Sequence, residues 1–241
     1  MTRGKKSQQK IGRCAFCAAR GPITREHLPA KSLFPPPLPS NLITVPSCLK
    51  CNQGWQSDQD YFRLFLVARA DTKGNRARDA LFPAVKRSLS RAEARGFATS
   101  FFSKLEETGR LTPTGIYIGT GISTTFDFSR LDRVAEKIVR GLFYHETERR
   151  LPADFRVATY HESRVRRLPS STFKNDLLGF VSMALETPPR RFGSAFAYWY
   201  LPSPNGWAHS HWLLEFYGSR EYYCFTAPII GVPGPSPALP K

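Results

Sequence analysis

The chain has 241 residues, of which 41% are hydrophobic and 13% aromatic, so it can form a packed core and is not a wholly disordered chain. Lys and Arg number 35 against 19 Asp and Glu, a formal net charge of +16. That excess favours a polyanionic partner, because basic side chains that neutralise phosphates release condensed counterions.

The N-terminal segment MTRGKKSQQK is basic and is not followed by an apolar stretch. It predicts a flexible tail over residues 1–10 and not a secretory signal. The sequence has no run of about 18 apolar residues, which argues against a transmembrane helix and a membrane partner. We therefore expect a cytoplasmic protein, a reducing setting in which paired cysteines indicate metal binding in preference to disulfides.

Four of the five cysteines form two C-x-x-C pairs, Cys14 with Cys17 and Cys48 with Cys51. Four thiolates complete a tetrahedral shell around one zinc ion and leave no open position, so the spacing predicts a structural zinc site. Cys224 has no partner in the sequence and lies in an aromatic segment, where we expect a small buried apolar side chain.

Short elements are predicted around the second cysteine pair. NLITV, residues 41–45, is a β-type run between turn residues. A helix is predicted to begin at about Cys48 or Ser57, with Ser57 as its N-cap and acidic residues in its first turn. Its apolar face would carry Tyr61 and Phe65.

The composition changes beyond residue 70. A basic, partly helical segment is predicted to break at Pro83, and a strand is predicted within residues 114–129. The clearest helix follows, since apolar residues recur on one face. That face consists of Leu131, Val134, Ala135, Ile138, Val139 and Leu142. Aromatic residues crowd residues 192–225, which predicts an antiparallel hairpin or meander.

These elements predict an α+β fold in four parts. Residues 11–70 would form a zinc module, and residues 71–230 an α+β accessory or substrate-selecting domain that contains an antiparallel sheet. The basic tail at 1–10 and a Pro-rich tail at 231–241 would flank them.

The residues between the cysteine pairs suit phosphodiester chemistry. His27 can accept a proton at neutral pH, because an unperturbed imidazole has a pKa of about 6.5. Glu26 and Asn52 offer oxygen atoms, which hard divalent cations prefer. Arg25 and Lys31 flank the pair Glu26-His27 and are candidates for contacts with phosphate. Lys50, between the second pair of cysteines, is a further candidate.

The ordered array C-x-x-C, E-H-L-P, N-L-I-T-V-P and C-x-x-C-N resembles the HNH endonuclease family, the ββα-metal nucleases built on a treble-clef zinc site. The resemblance covers roughly residues 11–65. It implies that His27 is the general base and that Asn41 holds the hairpin loop through backbone hydrogen bonds. It also implies that Glu26 and Asn52 bind a catalytic divalent ion, with Mg²⁺ as the physiological choice, in an H-N-N variant. The implied substrate is nucleic acid, DNA before RNA.

Simpler interpretations of the same residues stay open. Glu26 and His27 fit an ordinary hydrogen-bonded pair at a strand end, Asn41 fits a turn, and Asn52 fits a helix cap. Glu at position 26 is longer than the Asp more often found there in the family, so ligation through water is a second possibility. A non-catalytic zinc-finger protein that binds nucleic acid explains the cysteines and the charge equally well. The sequence makes no prediction of oligomeric state.

Overall fold

A computed structural model describes residues 10–112, 114–169 and 171–229. The predicted Pro-rich tail at 231–241 lies outside these residues, as does the predicted basic tail except for its last residue. The fold is mixed α+β, as predicted, with helices and three antiparallel sheets within the described part of the chain. None of the helices described is long and apolar enough to cross a membrane.

A three-stranded antiparallel sheet in the order β1-β2-β3 comes first in the chain. Its strands are β1 (Ile11–Arg13), β2 (Arg20–Leu28) and β3 (Ile43–Cys48). The strand predicted at 41–45 is therefore present, but it begins and ends later. Pairing of β2 with β3 sets Glu26 opposite Val45 and His27 opposite Thr44, which fixes where the end of β2 lies.

Two helices follow β3, α1 (Leu49–Gln53) and α2 (Gln56–Ala68). The predicted N-cap at Ser57 is wrong, because the N-cap of α2 is Trp55, two residues earlier, and Ser57 lies inside the helix. The Trp55 carbonyl accepts a hydrogen bond from the amide of Gln59 at 2.9 Å, so the first turn closes without a side-chain cap. The buried face of α2 includes Tyr61 and Phe65, as predicted.

The next segment contains two helices and a hairpin that forms a separate two-stranded sheet. These elements are α3 (Arg76–Leu89), α4 (Arg95–Phe102), β4 (Glu106–Leu111) and β5 (Tyr117–Ser123). The predicted break at Pro83 is wrong, since Pro83 lies inside α3. Proline removes one backbone donor from a helix, but Leu81 and Val85 on either side of it are buried in the core and hold the helix in place.

Helix α5 (Phe128–Thr147) lies at the centre of the molecule, and its predicted apolar face is confirmed. The Asp127 side chain caps it by accepting a hydrogen bond from the amide of Ser129 at 2.9 Å. All six residues of the predicted stripe are buried. Lys137 is buried as well, although the pattern of apolar residues gave no role to it.

The remaining elements are two helices and a five-stranded antiparallel sheet in the order β6-β10-β9-β8-β7. They are β6 (Phe155–His161), α6 (Glu162–Arg167), α7 (Thr172–Leu185), β7 (Arg190–Phe192), β8 (Phe196–Pro202), β9 (Ser210–Phe216) and β10 (Ser219–Pro228). The antiparallel meander predicted within residues 192–225 is confirmed. It is larger than predicted, because β6 pairs with the far side of β10.

Both faces of the five-stranded sheet are covered by helices. Successive residues of a strand point to opposite faces, and here they enter two different clusters. Tyr198 and Trp212 join the cluster that contains α2 and α5, whereas Trp199 and Leu213 join the cluster that contains α7. Cys224 is 1% exposed and lies in the first of these clusters, as predicted.

The main core runs without interruption across residue 70. Leu28 of β2 belongs to the same cluster as Leu142 of α5 and Phe216 of β9. Helix α5 approaches β2 closely at Gly141, where an added Cβ would lie 2.3 Å from a Leu28 methyl carbon. A larger residue at position 141 would have to displace the buried Leu28 side chain, and at this point α5 reaches the end of β2, where Glu26 lies.

Candidate metal centre and neighbouring site

The four predicted zinc ligands come together. The sulfur atoms of Cys14, Cys17, Cys48 and Cys51 all lie within 4.8 Å of one another. The first pair lies on the turn between β1 and β2, and the second pair lies where β3 passes into α1. The amide of Ala15 donates to the carbonyl of Pro46 at 2.8 Å, which joins the first turn to β3.

This cluster can hold a structural metal ion such as zinc. At a Zn–S distance of about 2.3 Å, the sulfurs of a tetrahedral site are about 3.8 Å apart. The sulfurs of Cys17 and Cys48 are 3.7 Å apart, which fits that value. Other metals that thiolates bind fit the same donor set.

The thiols of the cluster need a cation to ionise together. Burial raises the pKa of Cys14, but hydrogen bonds from the backbone of Cys17, Cys48 and Phe16 outweigh burial and lower that pKa to about 7. Burial and the neighbouring sulfurs raise the pKa of Cys51. A metal ion bound here would supply the positive charge that lets all four groups bind as thiolates.

Glu26 is buried in the sheet that carries the four cysteines, and it is paired with a lysine from α5. Its exposed fraction is 5%, and Lys137 is 2% exposed. The Nζ of Lys137 donates to Oε1 of Glu26 at 2.7 Å, and Nε2 of Gln59 donates to the same oxygen at 3.4 Å. In the described part of the chain no residue donates to Oε2, so one carboxylate oxygen keeps its capacity to accept.

Lys137 also reaches the aromatic side chains around the cysteines. Its Nζ lies 5.8 Å from the ring centre of Phe16 and 6.0 Å from that of Trp55, at the outer limit of a cation–π contact. Phe16 belongs to the first C-x-x-C turn. One buried ammonium group of α5 thus contacts Glu26 and also lies near an aromatic ring of the first C-x-x-C turn.

His27 follows Glu26 on β2 and is partly buried. Burial is the largest influence on its imidazole and lowers its pKa, and the positive charges of Lys31 and Arg25 lower the pKa further. Both basic side chains are exposed. The neutral imidazole is therefore the stable form at neutral pH, in a positively charged surrounding that suits an anion.

Asn52 faces the same side of β2 as Glu26 does, because its Nδ2 donates to Oγ1 of Thr24 at 2.8 Å and Thr24 is two residues from Glu26. Glu26 and His27 line one small cavity of about 10 Å³, near the lower limit for a single water molecule. Asn52 lines a second cavity of about 210 Å³. Gln59 lines both cavities, so the two cavities are neighbours, with Glu26 and His27 at the first and Asn52 at the second.

Asn41 lies away from this region. Its Nδ2 donates to the carbonyl of Arg191 in β7 at 3.1 Å, which fastens the end of the β2–β3 loop to the five-stranded sheet. The resemblance implies bonds to the loop itself, and among the described residues of that loop none accepts a bond from this side chain. Lys50 is exposed on α1.

A basic cleft of about 520 Å³ adjoins the hairpin and was missed by the sequence interpretation. It is lined by Thr44, the partner of His27 across the β2–β3 pair, and by Arg190 and Arg191. The two arginines are about half exposed and pair with Glu146 and Glu215. The dipeptide Arg190-Arg191 is present in the sequence, but no neighbouring residue in the sequence indicates that it lies near β3.

Lys137 and Gln59 are the other residues that sequence interpretation missed. Lys137 had a local signal, since it stands three residues after Val134 and four before Gly141 on the face of α5 that packs inward. A lysine at such a position needs a partner. The chain matches no protein-family model, no curated protein and no solved structure.

Proposed function

We propose that this chain is a metal-dependent endonuclease of the HNH type, in which a treble-clef zinc unit carries a ββα-metal active site. The observation that carries the proposal is the end of β2. There a partly buried histidine with a lowered pKa stands next to a buried carboxylate, on a hairpin that four cysteines join to a helix.

His27 would be the general base. A base must hold its imidazole neutral until it takes a proton from water. Burial, Lys31 and Arg25 all favour that neutral form. The same two cations would attract the phosphate and would place the histidine next to the scissile bond. In-line attack of the activated water would leave a 5′-phosphate and a 3′-hydroxyl, as the family resemblance implies.

The donors for a catalytic divalent ion would be Oε2 of Glu26 and Oδ1 of Asn52. The other polar atom of each group already forms a hydrogen bond. Oε1 of Glu26 accepts from Lys137, and Nδ2 of Asn52 donates to Thr24. Mg²⁺ keeps several waters and needs only one or two protein oxygens, which fits this sparse set. When bound, such an ion stabilises charge on the phosphoryl oxygens and on the leaving oxygen.

Nucleic acid, DNA before RNA, is the proposed substrate. Arg25, Lys31 and Lys50 are exposed around the end of β2 and α1, and the whole chain carries a formal charge of +16. Binding should weaken steeply with salt, because each neutralised phosphate releases counterions.

A plasmid-nicking assay with Mg²⁺ and with EDTA tests this proposal. We expect His27→Ala to lower the rate of nicking at least about 100-fold, the usual contribution of a general base. His209→Ala is the matched control, since His209 packs against Phe155 of β6, outside the β2–β3 hairpin, and should leave nicking unchanged. Equal nicking by wild type and His27→Ala would refute the role of His27.

One observation favours a second function, a non-catalytic zinc protein that binds nucleic acid. The Nζ of Lys137 already pairs with Oε1 of Glu26 at 2.7 Å. Its positive charge would repel a divalent cation bound to the same carboxylate. Salt-dependent binding to DNA without cleavage in any divalent metal would support this second function. Metal-dependent cleavage that His27→Ala abolishes would exclude it.

A further inference from the structure

The hairpin of β4 and β5 is set apart from the rest of the fold. The two strands pair only with each other, in a sheet separate from the two larger ones. Every residue of β4 is exposed, and no residue of β5, all of which the structure describes, is buried. An isolated two-stranded sheet is marginally stable in water and gains stability from further strands.

The hairpin also exposes an unusual amount of apolar surface. Ile116, Ile118 and Ile122 are 64%, 54% and 69% exposed, and Leu111 and Tyr117 are 60% and 59% exposed. Clustered exposed apolar residues on a protein surface mark a site of association. The free backbone edge of a strand offers a second means of association, because it can pair with a strand of another chain.

The sequence of β4 is complementary to itself. Leu105 and β4 together have the sequence LEETGRL, whose central residue is Thr108, and two chains that pair antiparallel about it would set each Thr108 opposite the other. Glu106 would then face Arg110 of the second copy, and Leu105 would face Leu111. The Glu106–Arg110 and Leu105–Leu111 pairs would each occur twice, and the Thr108 pair once, on the two-fold axis. Directly opposed charges of opposite sign and directly opposed apolar residues both stabilise antiparallel strands.

The alternative edge, on β5, is less suited to pairing. The register shifts between Gly109 and Leu111 of β4, where the β5 side has one residue more. Gly119 of β5 has a φ of +115° at this irregularity, outside the extended region. A bulge of this kind turns an edge away from further pairing. β4 has no such extra residue, and its charges select a partner.

We propose that two copies of this chain associate through antiparallel pairing of β4 with β4 about Thr108. The pair of hairpins would form one four-stranded sheet across a two-fold axis. The stem of Arg110 lies over Gly121, where an added Cβ would be 2.9 Å from its Cδ. Arg110 is therefore on the face of the hairpin that would carry Glu106 of the second copy.

Sedimentation equilibrium of the full chain over a range of concentrations tests this association. Wild type should have twice the mass of one chain. Glu106→Arg and Arg110→Glu should each set like charges opposite one another at two places and should raise the dimer Kd about tenfold or more. The double variant Glu106→Arg/Arg110→Glu restores opposite charges and should restore the wild-type Kd.

Glu93→Arg is the matched control, since Glu93 is exposed outside the hairpin and has the same change of charge. It should leave the dimer unchanged. A monomeric wild type would overturn the proposal, and so would a dimer whose Kd is indifferent to both single variants. Single variants that dissociate while the double variant does not recover would refute the register about Thr108. None of these readouts depends on nuclease activity.

Discussion

The unit around the four cysteines and the five-stranded sheet are stabilised in different ways. The sheet β6–β10 buries large aromatic side chains on both faces, among them Tyr198 and Trp212 with no exposed surface. The unit formed by the four cysteines and β1–β3, in contrast, buries few residues in its strands, and these residues are smaller. A segment with so little core depends on another source of folding energy, which a metal ion held by the four cysteines would supply.

The two regions are not independent, because α5 contacts both. It packs against the sheet through its apolar stripe. It contacts β2 at two places, where Gly141 lies against Leu28 and where Lys137 donates to Glu26. Unfolding of the segment around the four cysteines would therefore expose Lys137, which pairs with Glu26, and the apolar surface of α5 near Gly141. We therefore expect four substitutions to affect the two regions and their contacts with the helices to different extents.

The largest effect should come from Cys48→Ser, which removes one of four ligands. We expect the bound metal, measured by mass spectrometry of the purified protein, to fall from about one ion per chain to nearly none. Structural zinc contributes about 10–16 kcal/mol of apparent binding free energy in small zinc domains. Residues 11–55 should then lose protection in hydrogen exchange, whereas β8 and β9 keep theirs.

Cys224→Ala is the matched control for this substitution, since Cys224 is buried in the sheet core and lies outside the cluster. It should keep the metal. Wild-type protein purified without any metal would contradict the assignment of the cluster.

Trp212→Ala should have the converse effect. Trp212 is fully buried, and its Nε1 donates to Oγ of Ser210 at 2.8 Å. Removal of such a side chain leaves a cavity and costs about 3–5 kcal/mol of unfolding free energy, which urea denaturation can measure. Metal content per folded chain should stay at the wild-type value. Loss of metal from the folded protein would show that the cysteine unit depends on the sheet core.

Lys137→Met tests the connection between the regions. It leaves the buried carboxylate of Glu26 without its cation, which costs about 3–5 kcal/mol. In the double variant Glu26→Gln/Lys137→Met no buried charge is left alone, so we expect most of that loss to be recovered. Arg140→Met, which breaks a partly exposed pair with Glu136 on the same helix, should cost about 1 kcal/mol or less. A Lys137→Met loss no larger than that would contradict a buried, coupled pair.

Local patterns predicted the parts of the structure that are locally determined. The stripe of α5 and the aromatic strands follow from the periods of helix and strand, and the cysteine spacing predicted the cluster. Predictions failed where tertiary contacts overrode local preference. Pro83 remains helical because its neighbours are buried, and Ser57 is not a cap because the backbone of Trp55 closes the turn.

The site was predictable in its residue types but not in its partners. Nothing near Glu26 in the sequence indicates that Lys137 pairs with it across 111 positions. In the same way, nothing near Asn41 indicates its bond to Arg191, 150 positions away. Such contacts are set by how α5 and the five-stranded sheet pack against the hairpin, and a single sequence does not encode that packing in any local pattern.

The smallest expected effect concerns the contact between α2 and α5. Asp58 accepts hydrogen bonds from Arg130 at 2.7 Å and from Arg133 at 2.9 Å. Burial alone would raise the pKa of Asp58, but the hydrogen bonds and charges of Arg133 and Arg130 outweigh burial and lower the pKa. Asp58→Asn should therefore lower the unfolding free energy at neutral pH, by about 1 kcal/mol for a pair that is partly exposed.

The pH dependence of this loss gives a sharper test. A carboxyl group whose pKa is lowered by folding stabilises the folded state fully above the pKa of the unfolded chain, about 3.9. That stabilisation declines as the pH falls through the lowered pKa, since the folded chain then takes up the proton too. The difference in urea midpoint between wild type and Asp58→Asn should thus be largest near pH 6 and should shrink toward pH 3. Asp60→Asn, whose carboxylate is 55% exposed beside Arg63, should change the midpoint little at either pH. A gap for Asp58→Asn that is equal at both values would mean that the pair with the two arginines does not hold α2 to α5.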